Sequence, residues 1–537
     1  MRIADAVTGP ARRAAYRADG LWDDETLAGR VTHWAQRRPT GVAVVDDAGT
    51  HSYAEVAADV GRVAAFLRER GVEPGSVVSI QLPNRVEAVV TAVAVQSLGA
   101  VINPLLPNYR ARELTHVLET AAPRVVVTPA EYRGFDHRAL VDELRAGRDV
   151  EFVHVVVDDD PGGGDVSFAE ILQRERAPVE PGEAAAVSEL IFTSGTEASP
   201  KAIMHTEQTA NFSVRVAYDN LGLGPDDVVW MPSPIGHSTG FNYGVRFALY
   251  HGLRLVLQDR WDGDDALALV RRERATYTLA ATTFLQDLVG AAQRAGERLD
   301  CLRSFGCGGA PVPPALVRAA AEQGIGVRRL YGSTEVLVAT WNRPDSPPDR
   351  QANTDGPALD HVELAVRADD GTPVPAGEPG ELFVRGPNTC VGFFQDPDRT
   401  AATFSRDGWV RSGDLVTVDA DGFLTVVGRK KEIIIRGGMN ITPREIEELL
   451  VVFPEVERAA VVGIPDPRLG ERSCACVVLI PGATLALETT VDRLRATGLA
   501  AYKLPEHLRV LDALPTTASG KVQKHEIARL LAAGEPR

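Results

Sequence analysis

From about residue 41, β-branched runs alternate with Ala- and Leu-rich stretches of helical length, which points to a mostly parallel sheet covered by helices. The runs are VAVV, SVVSIQL, PRVVVT and FVHVVVD. At 537 residues the chain exceeds one ordinary core, so two or more domains are expected. Two loops rich in breakers and acid, Asp158 to Asp165 (DDDPGGGD) and Pro344 to Asp349 (PDSPPD), are candidate junctions. After Thr354 the texture changes to short strands with close turns (ADDGTPVPAGEPG, ELFVRG, ADGFLTVVG), which predicts a small antiparallel unit. From Ile433 to Arg537 strands and helices alternate on a small scale, as in an α+β domain of about 100 residues.

Composition narrows the function classes. A net charge of −16 and a pI near 5.3 argue against nucleic acid as the main partner, because phosphate backbones demand clustered Lys and Arg. The five cysteines show no CxxC pair and no zinc spacing, as fits a reducing cytoplasm. Cys474 and Cys476 alternate in CACVVLI and are expected to pack on one face of a strand. The longest largely apolar stretch, Ala88 to Ile102, falls short of the roughly 20 residues that span a bilayer and reads as a buried helix. Arg12, Arg13 and Arg17 are interleaved with Asp5, Asp19 and Asp23 ahead of any apolar segment, so no signal peptide is expected.

The most informative segment is Leu190 to Thr206, LIFTSGTEASPKAIMHT. An apolar strand enters a turn of Thr193, Ser194, Gly195 and Thr196 and then reaches Lys201. Small hydroxyl residues and a glycine let N–H and O–H groups converge on phosphate oxygens, and the lysine adds a point charge. The GxxxxGK[ST] spacing of a Walker loop is absent.

Four further segments follow in order: Tyr331 to Glu335 (YGSTE), Gly380 to Leu415 (ending SGDL), Gly428 to Leu450 (GRKKEIIIRGGMNITPREIEELL) and Pro515 to Lys524 (PTTASGKVQK). Together with the phosphate loop they resemble the motif set of the adenylate-forming superfamily of acyl-CoA synthetases, nonribosomal adenylation domains and luciferases, closest to acyl- or aryl-CoA ligases. The resemblance implies an α/β multidomain fold. Its large N-terminal domain, residues 1–429, would hold two stacked α/β subdomains (about 1–185 and 186–350) and a small β-barrel-like unit (about 354–428). A small mobile α+β lid would occupy residues 430–537.

The same resemblance implies substrates and roles. ATP with Mg²⁺, coenzyme A and a small carboxylic acid would be consumed, with an acyl carrier protein as the alternative acceptor. Thr193, Ser194, Gly195, Thr196 and Lys201 would hold the phosphates. Tyr331 would stack on adenine beside Gly332, Thr334 would bond the α-phosphate, and Glu335 would hold magnesium, a hard cation that takes few protein oxygens. Gly308, Gly309 and Ala310 would lie along the adenine and the acyl site. Asp414 and Arg429 would hold the ribose, a natural role for a two-oxygen acceptor. Lys521 would bridge the incoming carboxylate and the α-phosphate, lowering the repulsion between two anions. Lys431 would mark a hinge about which the lid swings, replacing Lys521 with Gly437 and Gly438, which leave room for a pantetheine arm.

This chain departs from the pattern at Glu197 and Ala198, where most relatives have Thr and Gly, and at Ala202. An outward-pointing Glu197 leaves ATP binding intact. One facing the β- and γ-phosphates would weaken it and leave only the thioester-forming half-reaction. The acid pocket is expected along Trp230 to Tyr243, Thr282 to Leu285 and Phe305 to Gly309, with His237 as its gate. Asn242 without an Asp argues for a neutral-tailed acid, and Gly236, Gly240 and Gly244 are read as space for a ring or branch.

Overall fold

The computed structural model describes residues 8–146, 151–157, 165–179, 182–193, 201–437, 439–517 and 521–532. Most of the chain before Glu363, with Val384–Val410, forms one compact unit; Leu364–Phe383 and the chain from Arg411 onward form a second.

The first unit is built on two sheets. One has seven strands in the order Lys201–Thr206, Val187–Thr193, Val101–Pro104, Val77–Ile80, Val125–Pro129, Val153–Val157 and Val166–Ser167. All neighbours are parallel except the first pair. Val77–Ile80, Val101–Pro104 and Val125–Pro129 are buried throughout, which suits parallel strands covered on both faces. The other sheet has eight strands: Leu337–Trp341, Val327–Ser333, Ser304–Cys307, Tyr277–Ala280, Val228–Met231, Arg254–Leu257, Val42–Asp46 and Gly49–Ser52. Its interior is parallel and its two end pairs are antiparallel.

Three expectations are corrected here. The apolar stretch Ala88 to Ile102 is not one helix. The helix Val86–Ser97 stops, Gly99 adopts a φ of +64° that a side chain would disfavour, and the chain re-emerges as the strand Val101–Pro104. The loop Pro344 to Asp349 is not a junction: it runs into the helix Pro348–Asn353, with proline in its first turn, inside the first unit. Of the other candidate junction, residues 158–164 lie outside the described residues. Nor do the sheets divide near residue 185. Val42–Asp46 pairs in parallel with Arg254–Leu257, Val44 opposite Leu255, so the first strands of the chain complete the later sheet.

Most of a four-stranded sheet of Glu363–Arg367, Gly380–Arg385, Val410–Val418 and Leu424–Arg429 belongs to the second unit, where a small β-barrel-like unit was expected. Arg411 and Lys430 both reach Glu381, at 2.6 and 3.0 Å, so this unit gathers strands well before residue 430. Beyond lies a five-stranded sheet centred on Gly470–Leu479, which pairs with Ile434–Arg436, Val456–Asp466 and His507–Val510. Its side chains alternate. Ala475 and Val477 join a core with Ile434, Ile446 and Leu450, while Cys474, Cys476 and Val478 join another with Leu514 and Ile527. The two thiols are therefore core packing, and all five cysteines are free. Among the described residues no helix is long and apolar enough to cross a membrane.

Candidate active site

In the first unit the antiparallel strands Val187–Thr193 and Lys201–Thr206 place Thr193 directly opposite Lys201. The predicted phosphate residues Ser194, Gly195 and Thr196, and with them Glu197 and Ala198, lie outside the described residues. Lys201 Nζ is 3.8 Å from Glu335 Oε1 and 5.8 Å from the centre of the Phe393 ring. Both charged side chains are partly exposed, so a cation suited to phosphate oxygens stands beside a hard oxygen donor suited to magnesium.

The turn that carries Glu335 joins Val327–Ser333 to Leu337–Trp341 and is pinned from several sides. His205 Nε2 donates to the Thr334 carbonyl at 2.7 Å, and its Nδ1 meets Thr209 Oγ1 at 3.1 Å. Burial pushes the imidazole below its ordinary range, against the pull of Glu189. The Cys390 N–H donates to the Glu335 carbonyl at 2.8 Å. Asn388 Nδ2 donates to the carbonyls of Val336 and Val338, at 2.6 and 3.0 Å, and the Val338 N–H donates to the Tyr243 hydroxyl at 2.7 Å. Leu337 between them sits at φ +49°, a left-handed conformation that a branched side chain holds only when its surroundings over-determine it.

Tyr331 is buried in its strand. The strand register shifts between it and Gly332, where an added Cβ would lie 2.1 Å from the Leu337 carbonyl. A Cβ on Gly308 would meet the Leu330 carbonyl at 2.5 Å, whereas Gly309, at φ +76°, and Ala310 are exposed. The turn after Ser304–Cys307 therefore offers open backbone, as a flat ligand requires.

The pocket reading needs correction. His237 caps the short helix Ser238–Gly240, its Nδ1 accepting from the Thr239 N–H at 3.2 Å, and Phe241–Arg246 continues as a π-helix. The nearby glycines do not leave space. A Cβ would lie 2.2 Å from the Leu105 carbonyl at Gly236, 2.1 Å from the Pro234 carbonyl at Gly240 and 2.6 Å from Met231 Cγ at Gly244. They permit close packing instead. Asn242 does not face an acid either: it is fully buried, donates to Glu189 Oε2 at 2.9 Å and accepts from Arg246 Nε at 3.0 Å. Trp230, Leu285 and Phe305 belong to the hydrophobic core.

That polar core was missed in the sequence. Arg246, without exposed surface, pairs with Glu189 at 2.5 Å and with Glu207, and donates to Asn211 Oδ1 at 2.7 Å. An ion buried this deeply is tolerable only with its partners in place.

In the second unit Asp414 and Arg429 are register partners across an antiparallel pair, with Nε 2.9 Å from Oδ1. The hairpin that presents Lys521 is closed by its carbonyl, which accepts the Thr517 N–H at 2.7 Å, and by its N–H, which donates to Thr517 Oγ1 at 3.1 Å. The Lys521 side chain reaches solvent, yet protein crowded around it pushes its ammonium down to about 8. Lost solvation is the largest cause, the Arg429 guanidinium adds to it, and Asp414 and Glu432 oppose it. Lys431 lies in the short 3₁₀ turn Lys430–Glu432. Gly437, at φ +58°, turns the hairpin between Ile434–Arg436 and Met439–Ile441; Gly438 lies outside the described residues.

Comparison with known proteins agrees with this layout. The AMP-binding enzyme family matches residues 31–394, and the AMP-binding enzyme C-terminal domain matches residues 445–521. The medium-chain fatty-acid–CoA ligase of Escherichia coli is 38% identical over 96% of this chain and 92% of its own length. The salicyl-AMP ligase/salicyl-S-ArCP synthetase of Mycobacterium tuberculosis is 34% identical over 97% and 94%. The crystal structure of ATP-bound MatB from Rhodopseudomonas palustris superposes with a TM-score of 0.85 at 28% identity, covering 95% of this chain and 99% of that one. Both family patterns occur in order along one chain that also joins Lys201 to Glu335 and Asp414 to Arg429, and the chain belongs to the AMP-binding, adenylate-forming enzymes.

Proposed function

We propose that this ATP-using, AMP-forming ligase joins a carboxylic acid to coenzyme A through an acyl-adenylate. The observation that carries the reading is the Lys201–Glu335 pair, with Lys201 opening its strand and Glu335 on a turn whose backbone is anchored by His205 and Cys390. In the first step a carboxylate oxygen forms a bond to the α-phosphorus of ATP and the bond to the bridging oxygen breaks, releasing pyrophosphate. Lys201, Thr193 and the loop that follows hold the phosphates, Thr334 bonds the α-phosphate, and Glu335 holds the magnesium that travels with ATP. Tyr331, Gly332, Gly309 and Ala310 receive the base, Asp414 and Arg429 the ribose, and His237 borders the acid. Lys521 stands between the reacting anions, and its ammonium lowers their mutual repulsion.

In the second step the thiol sulfur bonds to the acyl carbon, the bond from that carbon to the phosphate oxygen breaks, AMP leaves and the thiol proton passes to solvent. Lys431 serves as the hinge of the change between steps, and Gly437 and Gly438 admit the pantetheine arm. The likeness to a salicyl-S-ArCP synthetase supports a second reading, in which a carrier protein supplies the thiol. Feeding ATP, magnesium and an acid to the purified chain with free CoA separates the two. Thioester formed without any added protein supports CoA, and adenylate that persists until a phosphopantetheinylated carrier is added overturns it.

A further inference from the structure

Lys524 opens the helix Lys524–Ala532, three residues after Lys521. Its ammonium lies 2.9 Å from Glu432 Oε2, 2.9 Å from Glu447 Oε1 and 3.1 Å from Glu447 Oε2. A lysine has three N–H donors, and three carboxylate oxygens surround this one. Glu447 is buried on the helix Pro443–Leu450 and also accepts the Val461 N–H at 2.6 Å. Glu432 is the residue after Lys431 and closes the 3₁₀ turn there. Three residues further along the Lys524 helix, Ile527 is buried in the core with Cys474 and Cys476.

The Lys521 hairpin is continuous with this anchor. The Gln523 N–H donates to the Pro515 carbonyl at 2.8 Å, and Thr516 bridges Val522. One side chain thus ties the base of the Lys521 hairpin to the turn that contains Lys431 and to the sheet-packed helix that carries Glu447. Removing it would also release the Glu432 carboxylate, whose field already reaches Lys521.

We infer that Lys524 is a positioning residue for Lys521, an ion-pair tether that holds the lysine hairpin to Glu432, directly after the proposed hinge residue Lys431, and to Glu447. The inference rests on the proposed role of Lys521 in adenylation. A tether of this kind matters where sub-ångström placement of a charge sets the barrier, which is the first half-reaction and not the second.

The test uses the full chain as wild type, Lys524→Met, Lys524→Arg and Glu432→Gln. Each is assayed for acid-dependent ATP–pyrophosphate exchange, for thioester formation from CoA and synthetic octanoyl- or salicyl-adenylate, and for thermal unfolding. For Lys524→Met, exchange is expected to fall about tenfold or more while thioester formation from the adenylate stays within about threefold. Lys524→Arg restores exchange to within about threefold, and Glu432→Gln falls in the same direction as Lys524→Met. If Lys524→Met does not fold, the milder Glu432→Gln carries the same test. Exchange unchanged in the variants, or both half-reactions lost in equal proportion, overturns the tether alone. A wild-type chain that supports no exchange with any acid overturns the reading beneath it, and the tether with it.

Discussion

His205 and Thr334, 129 residues apart in sequence, are joined by one hydrogen bond of 2.7 Å from the imidazole Nε2 to the peptide carbonyl. A carbonyl only accepts, so Nε2 carries the hydrogen, and the bond fixes the residue on which α-phosphate contact is proposed. In His205→Ala the partly buried carbonyl loses its partner, at a cost of up to about 1–3 kcal/mol. Steady-state kinetics should show adenylation reduced about tenfold or more, with the KM for MgATP raised. Unchanged kinetics in a folded variant would remove His205 from the site.

The pH profile follows from Lys521. Its ammonium, ordinarily protonated to above 10, is pushed down to about 8 in the free chain. The cation that adenylation needs is present below that value and lost as pH rises through it. The alkaline limb of kcat/KM for adenylation should therefore fall near pH 8, and bound phosphates, being anionic, should move the limb of kcat to higher pH. Lys521→Ala should abolish this limb; a limb of the same position in that variant would assign it to another group.

Removing the Arg246 guanidinium leaves Glu189 and Glu207 buried against each other. Arg246→Met is expected to cost about 3–5 kcal/mol in urea unfolding. Arg294→Ala, which breaks a largely exposed pair with Asp264, is expected to cost less than about 1 kcal/mol. Equal effects would contradict the burial argument.

Gly240→Ala distinguishes packing from pocket. A Cβ 2.1 Å from the Pro234 carbonyl cannot be accommodated without moving backbone, so the variant should lose about 2 kcal/mol or more of stability with every acid. A stable variant whose preference among acids shifts would show that this glycine does line a cavity.

What was legible in the sequence was chemistry carried by local spacing. Thr193, Lys201, Glu335, Asp414, Arg429 and Lys521 lie within short ordered motifs, and the structure brings Lys201 to Glu335 and Asp414 to Arg429. What was not legible depends on partners far along the chain. Asn388 reaches Val336 across 52 residues and Tyr243 reaches Val338 across 95, and no periodicity announces either. The only local signal for His205 was a polar residue directly after the apolar run Ala202–Met204. The glycines after Trp230 were misread because a missing side chain permits either space or contact, and only the neighbouring backbone decides which. The placement of Val42–Asp46 in the later sheet was hidden for the same reason, since a β-branched run does not name its neighbour.

The most direct measurement is ATP–pyrophosphate exchange without CoA, run with medium-chain and aryl acids on wild type and on Lys521→Ala. Acid-dependent exchange that falls about a hundredfold or more in the variant is the predicted result. No exchange with any acid, from wild-type protein that still converts a synthetic acyl-adenylate and CoA to thioester, would contradict it and turn attention to Glu197.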